Sequence, residues 1–259
     1  MNTSMIVFDG YAKYYDLLYK EKDYKAEADY IIKFIKDYMP DAKNILDLGC
    51  GTGKHDLIFA ENNFQVTGVE MSKKMTDHAI HNILTKNDGT KRIKFINGDI
   101  RNIKLNKKFD IITSLFHVIN YQTSNEDLRA TFRTVKEHIA PKGKFIFDFW
   151  YGPAVLSDRP ESRVKRMEDE ECIIERYTEP LINVNENYVD VNFKISINEK
   201  QISSFHEIRE THRMRYLFLP EINLLLSEND MKIEYCEEWM SGNSLSDKSW
   251  YGLAVTGNK

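Results

Sequence analysis

The sequence predicts an α/β fold, with an open, mostly parallel sheet covered by helices and an antiparallel insertion late in the chain. Three observations carry that prediction. Apolar strand-like runs alternate with helical patterns from residue 44 to residue 149, a glycine-rich turn joins the first run to a helix, and strict two-residue alternation takes over between 151 and 218. Strands separated by helices must cross over and therefore pair in parallel, whereas strands joined by short turns pair antiparallel.

Asp23 can cap a helix whose apolar positions Ala28, Ile31, Ile32, Ile35 and Tyr38 recur at helical spacing until Pro40 ends it. Strand one is Asn44–Leu48, and the turn Gly49-Cys50-Gly51-Thr52-Gly53 opens a helix from about 54 to 62. Strand two follows at 65–69, a helix starts at Ser72, and strand three is Ile93–Ile96. Strand four is Phe109–Leu115. Ser124 caps a helix carrying Leu128, Phe132, Val135 and Ile139, which Ala140-Pro141-Lys142-Gly143 should close before strand five at Lys144–Phe149. From 151 to 218 the alternation of Val189, Val191, Phe193, Ile195 and Ile197 with polar residues, repeated over Ile208–Tyr216, marks antiparallel strands with one wet face. Pro220 can open a short helix through Leu226, and apolar runs follow at Lys232–Trp239 and Trp250–Thr256. The expected division is 1–150 for the N-terminal helices and cofactor-binding core, 151–219 for the insertion, and 220–259 for elements that complete the core sheet.

The chain has 259 residues with 42% hydrophobic composition, enough to bury a full core. A net charge of -4 offers no electrostatic reason to expect nucleic acid. Cysteines 50, 172 and 236 are odd in number and lack metal-ligand spacing, so no disulfide framework or zinc site is indicated. Free thiols suit the cytoplasm, and the expectation is a cytoplasmic protein with no membrane segment, no leader and no metal.

The glycine turn is the most informative stretch. Glycines let the backbone turn sharply off a strand and bring bare peptide groups to a ligand at a helix N-terminus. Glu70, about 20 residues on, sits where a carboxylate can accept the hydroxyls of a ribose. A dinucleotide fingerprint spaces its glycines G-x-G-x-x-G, but here the third position is Lys54 and Gly53 gives G-x-G-x-G. Asp47, Glu70 and Asp99 put three carboxylates around the pocket. They would repel a pyrophosphate, since unit charges a few Å apart interact by about 4 kcal/mol at an effective dielectric near 20. S-adenosylmethionine carries no phosphate, and its ammonium and sulfonium outweigh its one carboxylate.

With these residues the chain resembles the class I S-adenosylmethionine-dependent methyltransferases, over roughly residues 43–149. The resemblance implies a Rossmann-like, seven-stranded, mostly parallel sheet, completed by the last two runs, with the antiparallel insertion before strand six. It implies S-adenosyl-L-methionine as cofactor and S-adenosyl-L-homocysteine as product. Asp47 and the loop of Gly49, Cys50, Gly51 and Gly53 would hold the methionine moiety, and Glu70 the ribose. Met71 would lie against the adenine, Asp99 would accept from its amine, and Ile100 and Leu115 would pack nearby.

In an open α/β sheet the second substrate enters at the carboxyl ends of the strands. Three aromatic segments are placed for it: Phe8, Tyr11, Tyr14, Tyr15 and Tyr19; Phe116-His117-Val118-Ile119-Asn120-Tyr121; and Phe149-Trp150-Tyr151. The first segment and the core are most similar to enzymes that N-methylate amino groups of nucleotide-linked deoxysugars. In that subgroup the N-terminal tyrosines close over cofactor and acceptor, here Tyr11, Tyr15 and Tyr19. Some members place a histidine beside the amine where this chain has Tyr121. Tyr15, Tyr121 and His117 are therefore the candidates for handling the acceptor and its proton, with Phe116, Trp150 and Tyr151 around it. Arg159 and Arg163, in the densest basic segment, could grip a diphosphate or belong to a solvated strand end facing Glu168-Asp169-Glu170-Glu171. A sugar hydroxyl, another small amine, or a purely cofactor-binding role stay open as alternatives. Nucleic acid is disfavoured, because Ser114-Leu115-Phe116-His117 stands where base-amine methyltransferases usually carry a Pro-Pro-aromatic motif. The insertion would suit a lid, an acceptor wall or a homodimer surface.

Overall fold

The computed structural model describes residues 14–84, 90–201 and 204–259. Phe8 and Tyr11 lie outside the described residues. Helix α1 is Tyr15–Leu18, and α2 is Tyr24–Tyr38, capped by Asp23, whose carboxylate accepts from the Ala26 amide at 2.9 Å. The buried face of α2 is Ala28, Ile31, Ile32, Phe34 and Ile35. Tyr38 sits at its rim, beside Phe34 and Tyr235.

The main sheet takes its strands in the order β10-β11-β5-β4-β1-β2-β3. Strands β1 (Asn44–Leu48), β2 (Gln65–Glu70), β3 (Ile93–Asn97), β4 (Phe109–Ser114) and β5 (Ile139–Trp150) are parallel, whereas β11 (Tyr251–Asn258) runs antiparallel to β5 and to β10 (Met231–Glu238). Helices α3 (Lys54–Glu61), α4 (Lys73–Leu84), α5 (Asn125–His138) and α7 (Leu219–Ser227) belong to this layer. Ser124 caps α5 by accepting from the Asp127 amide at 3.0 Å. One apolar cluster packs Phe132 and Val135 on Phe145 and Phe147, and a second packs Ile31 and Ile35 with Ile45 and Ile111. Each fully buried side chain of this size contributes about 1.5–3 kcal/mol.

Strand β5 begins earlier than its sequence pattern suggests. Ile139 pairs with Phe109 and Lys144 with Ile111, so Ala140-Pro141-Lys142-Gly143 bulges inside the strand instead of closing the helix before it. A bulge accommodates the proline, which has no ladder donor.

The insertion is a separate four-stranded antiparallel sheet, β6 (Arg163–Glu168), β7 (Cys172–Asn183), β8 (Tyr188–Glu199) and β9 (Ser204–Arg215), preceded by the short helix α6 (Gly152–Ser157). Its inner face buries Ile174, Val189, Ile195, Ile197 and Met214. Part of that face packs on Tyr14, Tyr15 and Leu18. Among the described residues no helix is long and apolar enough to cross a membrane.

Candidate active site

Between β1 and β4 the strand order reverses, and the loops leaving the two strands diverge to leave a crevice at their carboxyl ends. The glycine turn fills the β1 side. Gly49 adopts φ +85°, and a Cβ there would stand 2.4 Å from Val118 Cγ1. The Gly49 and Cys50 amides donate to the Val69 carbonyl at 2.8 and 3.1 Å, which ties the turn to β2. Gly53 lies one step behind the crevice. It starts α3 in the left-handed conformation, and a Cβ on it would meet the Phe95 ring at 2.4 Å. Its glycine serves the packing of helix on strand, and it does not line the crevice.

The crevice holds a cavity of about 350 Å³. Asp47, Gly49, Cys50, Gly51, Glu70 and Asp99 line it, with Tyr15 and the apolar surfaces of Met71, Ile100, Leu115 and Phe116. Asp47 is 3% exposed and accepts from Thr113 Oγ1 at 2.7 Å. Burial pushes its carboxyl up to about 6, against the opposing bond from Thr113. Burial also raises Glu70, although the amides of Ser72 and Gly51 donate to it at 2.8 and 3.1 Å. Asp56, fully buried on α3, is held well above the usual carboxylate range by burial and by Asp47. Low-dielectric carboxylates of this kind are stabilised by an incoming cation.

Asp99 departs from expectation. Both of its oxygens are held by Arg101, with Nε at 2.9 and 3.0 Å and Nη2 at 2.6 Å, while Arg101 Nη1 donates to Asp127 at 2.8 Å. Partial burial raises the Asp99 carboxyl, and the bonds and charge of Arg101 outweigh it and leave it below the ordinary value. The carboxylate is thus largely satisfied, and Arg101 itself lines the cavity. Tyr24, Lys54 and His55 complete the wall beside α3, none of them anticipated. The spacing Asp99-x-Arg101 was the available signal for the first of these additions.

A second cavity, of about 600 Å³, opens between the ends of the main sheet and the inner face of the insertion. Phe116 and Tyr121 line both cavities. Tyr19, expected at the cofactor, lines only this second one, as do His117, Trp150, Arg159 and Arg163. Tyr151 lines neither. Its backbone pairs with Leu217, and its ring meets Phe149 at 6.3 Å within the main core.

Phe116 and His117 both adopt positive φ, 64° and 65°, a costly bend for residues with side chains. Asp148, 1% exposed, compensates by accepting the His117 amide at 3.0 and 3.1 Å and by standing 2.6 Å from its Nδ1. The imidazole also stacks on Tyr251 at 4.6 Å. His117 is thus anchored in the wall of the second cavity.

Arg176 and His212 were not anticipated, and both line the second cavity. Arg176 is 6% exposed, donates to the Tyr19 hydroxyl at 3.3 Å, and lies between the Tyr19 and Phe193 rings at 5.6 and 5.0 Å. Its place on the inner face of Cys172, Ile174, Arg176 and Thr178 would have flagged it as a polar residue on a buried stripe.

Residues 45–143 match the methyltransferase domain family. The crevice, its three carboxylates and the strand order agree with that match, and the chain carries the methyltransferase domain of an enzyme with S-adenosylmethionine as cofactor. It is 27% identical, over 91% of its length and 95% of the other's, to dTDP-3-amino-3,4,6-trideoxy-alpha-D-glucopyranose N,N-dimethyltransferase of Streptomyces venezuelae. It is 31% identical to dTDP-4-amino-2,3,4,6-tetradeoxy-D-glucose N,N-dimethyltransferase of Saccharopolyspora spinosa, over 60% of this chain and 61% of that one. The fold is shared with a crystallised S-adenosylmethionine-dependent methyltransferase from Clostridium acetobutylicum ATCC 824, with a TM-score of 0.79, 21% identity, and coverage of 95% and 96% of the two chains.

Proposed function

We infer that this enzyme methylates the amino group of a nucleotide-linked deoxyaminosugar. The observation that carries the reading is the meeting of the two cavities at Phe116 and Tyr121: Asp47, Glu70 and Asp99 stand on the first, beside Lys54, Arg101 and Arg213, and the guanidinium groups of Arg159, Arg163 and Arg176 stand on the second, beside Asp158 and Glu161. Asp47 and Glu70 would hold the ammonium and ribose of the cofactor, which supplies a methyl group on a positively charged sulfur. The Phe116 and Tyr121 rings offer π-faces to positive charge at the shared wall and exclude water from it. The arginines would hold the diphosphate of the acceptor, Arg176 from a buried position that suits an anion. Positioning of this kind is most of what a direct displacement asks of a protein.

The curated relatives named above support the acceptor class, since both are named for dTDP-linked aminosugars. In this reading 1–150 and 220–259 form the catalytic core and 151–219 covers the acceptor. The free thiols of Cys50, Cys172 and Cys236 suit a cytoplasmic setting. The test is incubation with the cofactor and a panel of nucleotide-linked aminosugars, the free sugars and simple amines, followed by mass measurement of the products. Addition of one or two methyl groups to a nucleotide-linked aminosugar is the expected result. Methylation of free amines in preference to nucleotide-linked ones would overturn the acceptor assignment.

A further inference from the structure

Tyr121 ends the helical turn Val118–Tyr121 and stands in the wall that the cavities share. Its hydroxyl lies 2.8 Å from His212 Nδ1, and His212 Nε2 lies 3.1 Å from Glu210 Oε2. His212 and Glu210 are two residues apart on β9, so strand alternation turns both to the inner face of the insertion, where their side chains are 2% and 7% exposed. The Phe193 ring from β8 meets the imidazole edge-on at 4.8 Å, and Arg176 is the charged group that faces it from β7. Tyr121 thus comes from a turn beyond β4 of the main sheet, and the other two groups come from one strand of the insertion.

Their order has a defined direction. With His212 neutral, Glu210 takes a hydrogen bond from Nε2, and Nδ1 is left to accept from the Tyr121 hydroxyl. Burial holds the imidazole below its ordinary value, Glu210 opposes that, and Arg176 adds to the lowering. Burial, followed by Tyr19 and the carboxylates of Glu210 and Glu70, keeps the phenol protonated far above neutrality.

We propose that Tyr121, His212 and Glu210 relay a proton away from the acceptor amine, an inference that rests on the shared wall being where amine and methyl group meet. An aliphatic amine arrives mostly as an ammonium at neutral pH and has no lone pair until it loses a proton. That proton passes to the Tyr121 oxygen as the phenol's own proton passes to His212 Nδ1. The phenol is left unchanged, the amine becomes neutral with a free lone pair, and the positive charge rests on an imidazolium beside the Glu210 carboxylate. His212 also lines the second cavity, where the imidazolium returns the proton to water. Tyr121 is the catalytic residue of the relay, and His212 and Glu210 are positioning residues that act through it.

The test uses dTDP-3-amino-3,4,6-trideoxyglucose as acceptor. Tyr121→Phe and His212→Asn are each expected to lower kcat by about 100-fold, a typical contribution of proton transfer, with unchanged cofactor binding showing that the variants are folded. Asn keeps an acceptor for the phenol but cannot take a proton. The double variant should be no slower than either single one, because the two act as a unit. In Glu210→Gln the charge that raises the imidazole is gone, so the acid limb of the kcat profile should move to lower pH. Loosened packing alone would slow the reaction equally at every pH. Rates within about twofold of wild type, or losses that add in the double variant, would overturn the relay.

A measurement without acceptor decides the same point. Nitrogen NMR of His212 should find the neutral ring protonated on Nε2, with a midpoint that falls in Glu210→Gln. The Nδ1-protonated form, or an unmoved midpoint, would overturn the relay. Failure of wild-type enzyme to methylate any nucleotide-linked aminosugar would instead overturn the acceptor reading, while the NMR result still decides the relay.

Discussion

The two cavities are built in different ways. The smaller takes most of its wall from short stretches that follow consecutive parallel strands: 47–55 after β1, 70–75 after β2, 99–101 after β3 and 115–118 after β4. The larger collects Tyr19, Trp150, Arg159, Arg176, His212 and Trp250 from widely separated segments and two sheets. The first depends on local backbone geometry, and the second on how one sheet lies over the other. Substitutions should therefore separate cofactor binding from acceptor binding cleanly, and the following outcomes break or sharpen that contrast.

Asp47→Ala should weaken cofactor binding by about 3 kcal/mol, or roughly 100-fold, because it removes a desolvated carboxylate facing a cation. Titration calorimetry measures this. A folded variant with wild-type affinity would remove Asp47 from the cofactor site.

The same carboxylate makes the cofactor-free protein sensitive to pH. Its folded value, about 6, exceeds the 3.8 of an ordinary aspartate. The folded state therefore keeps the proton to higher pH than the unfolded chain, and stability falls as pH rises through that window. The loss should be on the order of 2–3 kcal/mol. Asp47→Asn should accordingly melt higher than wild type at neutral pH, and the gain should vanish near pH 4. A gain that is equal at both pH values would mean that the carboxyl is not displaced.

Gly53→Ala should cost about 2 kcal/mol of stability, from the left-handed backbone and the displaced Phe95 ring. Thermal melts read the loss, and cofactor affinity of the folded fraction should hold. A change in affinity larger than the change in stability would return Gly53 to the ligand.

Arg176→Met has the smallest expected effect. It should raise the Michaelis constant for a nucleotide-linked acceptor by about tenfold and leave cofactor affinity alone, since an apolar side chain of similar length keeps the packing and removes the charge. An unchanged constant would detach the acceptor's diphosphate from Arg176.

Much of the first cavity was legible in the chain. Asp47, Gly49, Cys50, Gly51 and Glu70 fall where the strand-turn-helix-strand pattern puts them, because a glycine turn at the end of a buried strand has few conformations available. Asp99 lines the same cavity, but Arg101, which occupies its oxygens, was missed. Gly53 was assigned to the ligand although its neighbour is Phe95, and that contact depends on β3 lying behind the turn. Strand β5 was cut short because Pro141 and Gly143 mimic a helix end when read along one dimension, and only pairing to β4 reveals the bulge.

The second cavity was legible only in part. Phe116, His117, Tyr121, Trp150, Arg159 and Arg163 were named and lie on it, Tyr19, expected to close over the cofactor and the acceptor, lies on it as well, and Tyr151 turned into the core. Arg176 and His212 escaped notice because each sits singly in an alternating strand, where nothing in the neighbouring residues says what the inner face covers.

The sequence by itself determined the parallel core, the antiparallel insertion and the glycine turn that lines the first cavity, since hydrophobic period and glycine spacing act over a few residues. The tertiary structure alone decided that Tyr121 meets His212 and Glu210, and that Arg176 joins Arg159 and Arg163 on one cavity. Those meetings require β7 and β9 to sit across the strand ends of the other sheet, an arrangement set by the packing of two sheets and recorded in no short stretch of chain.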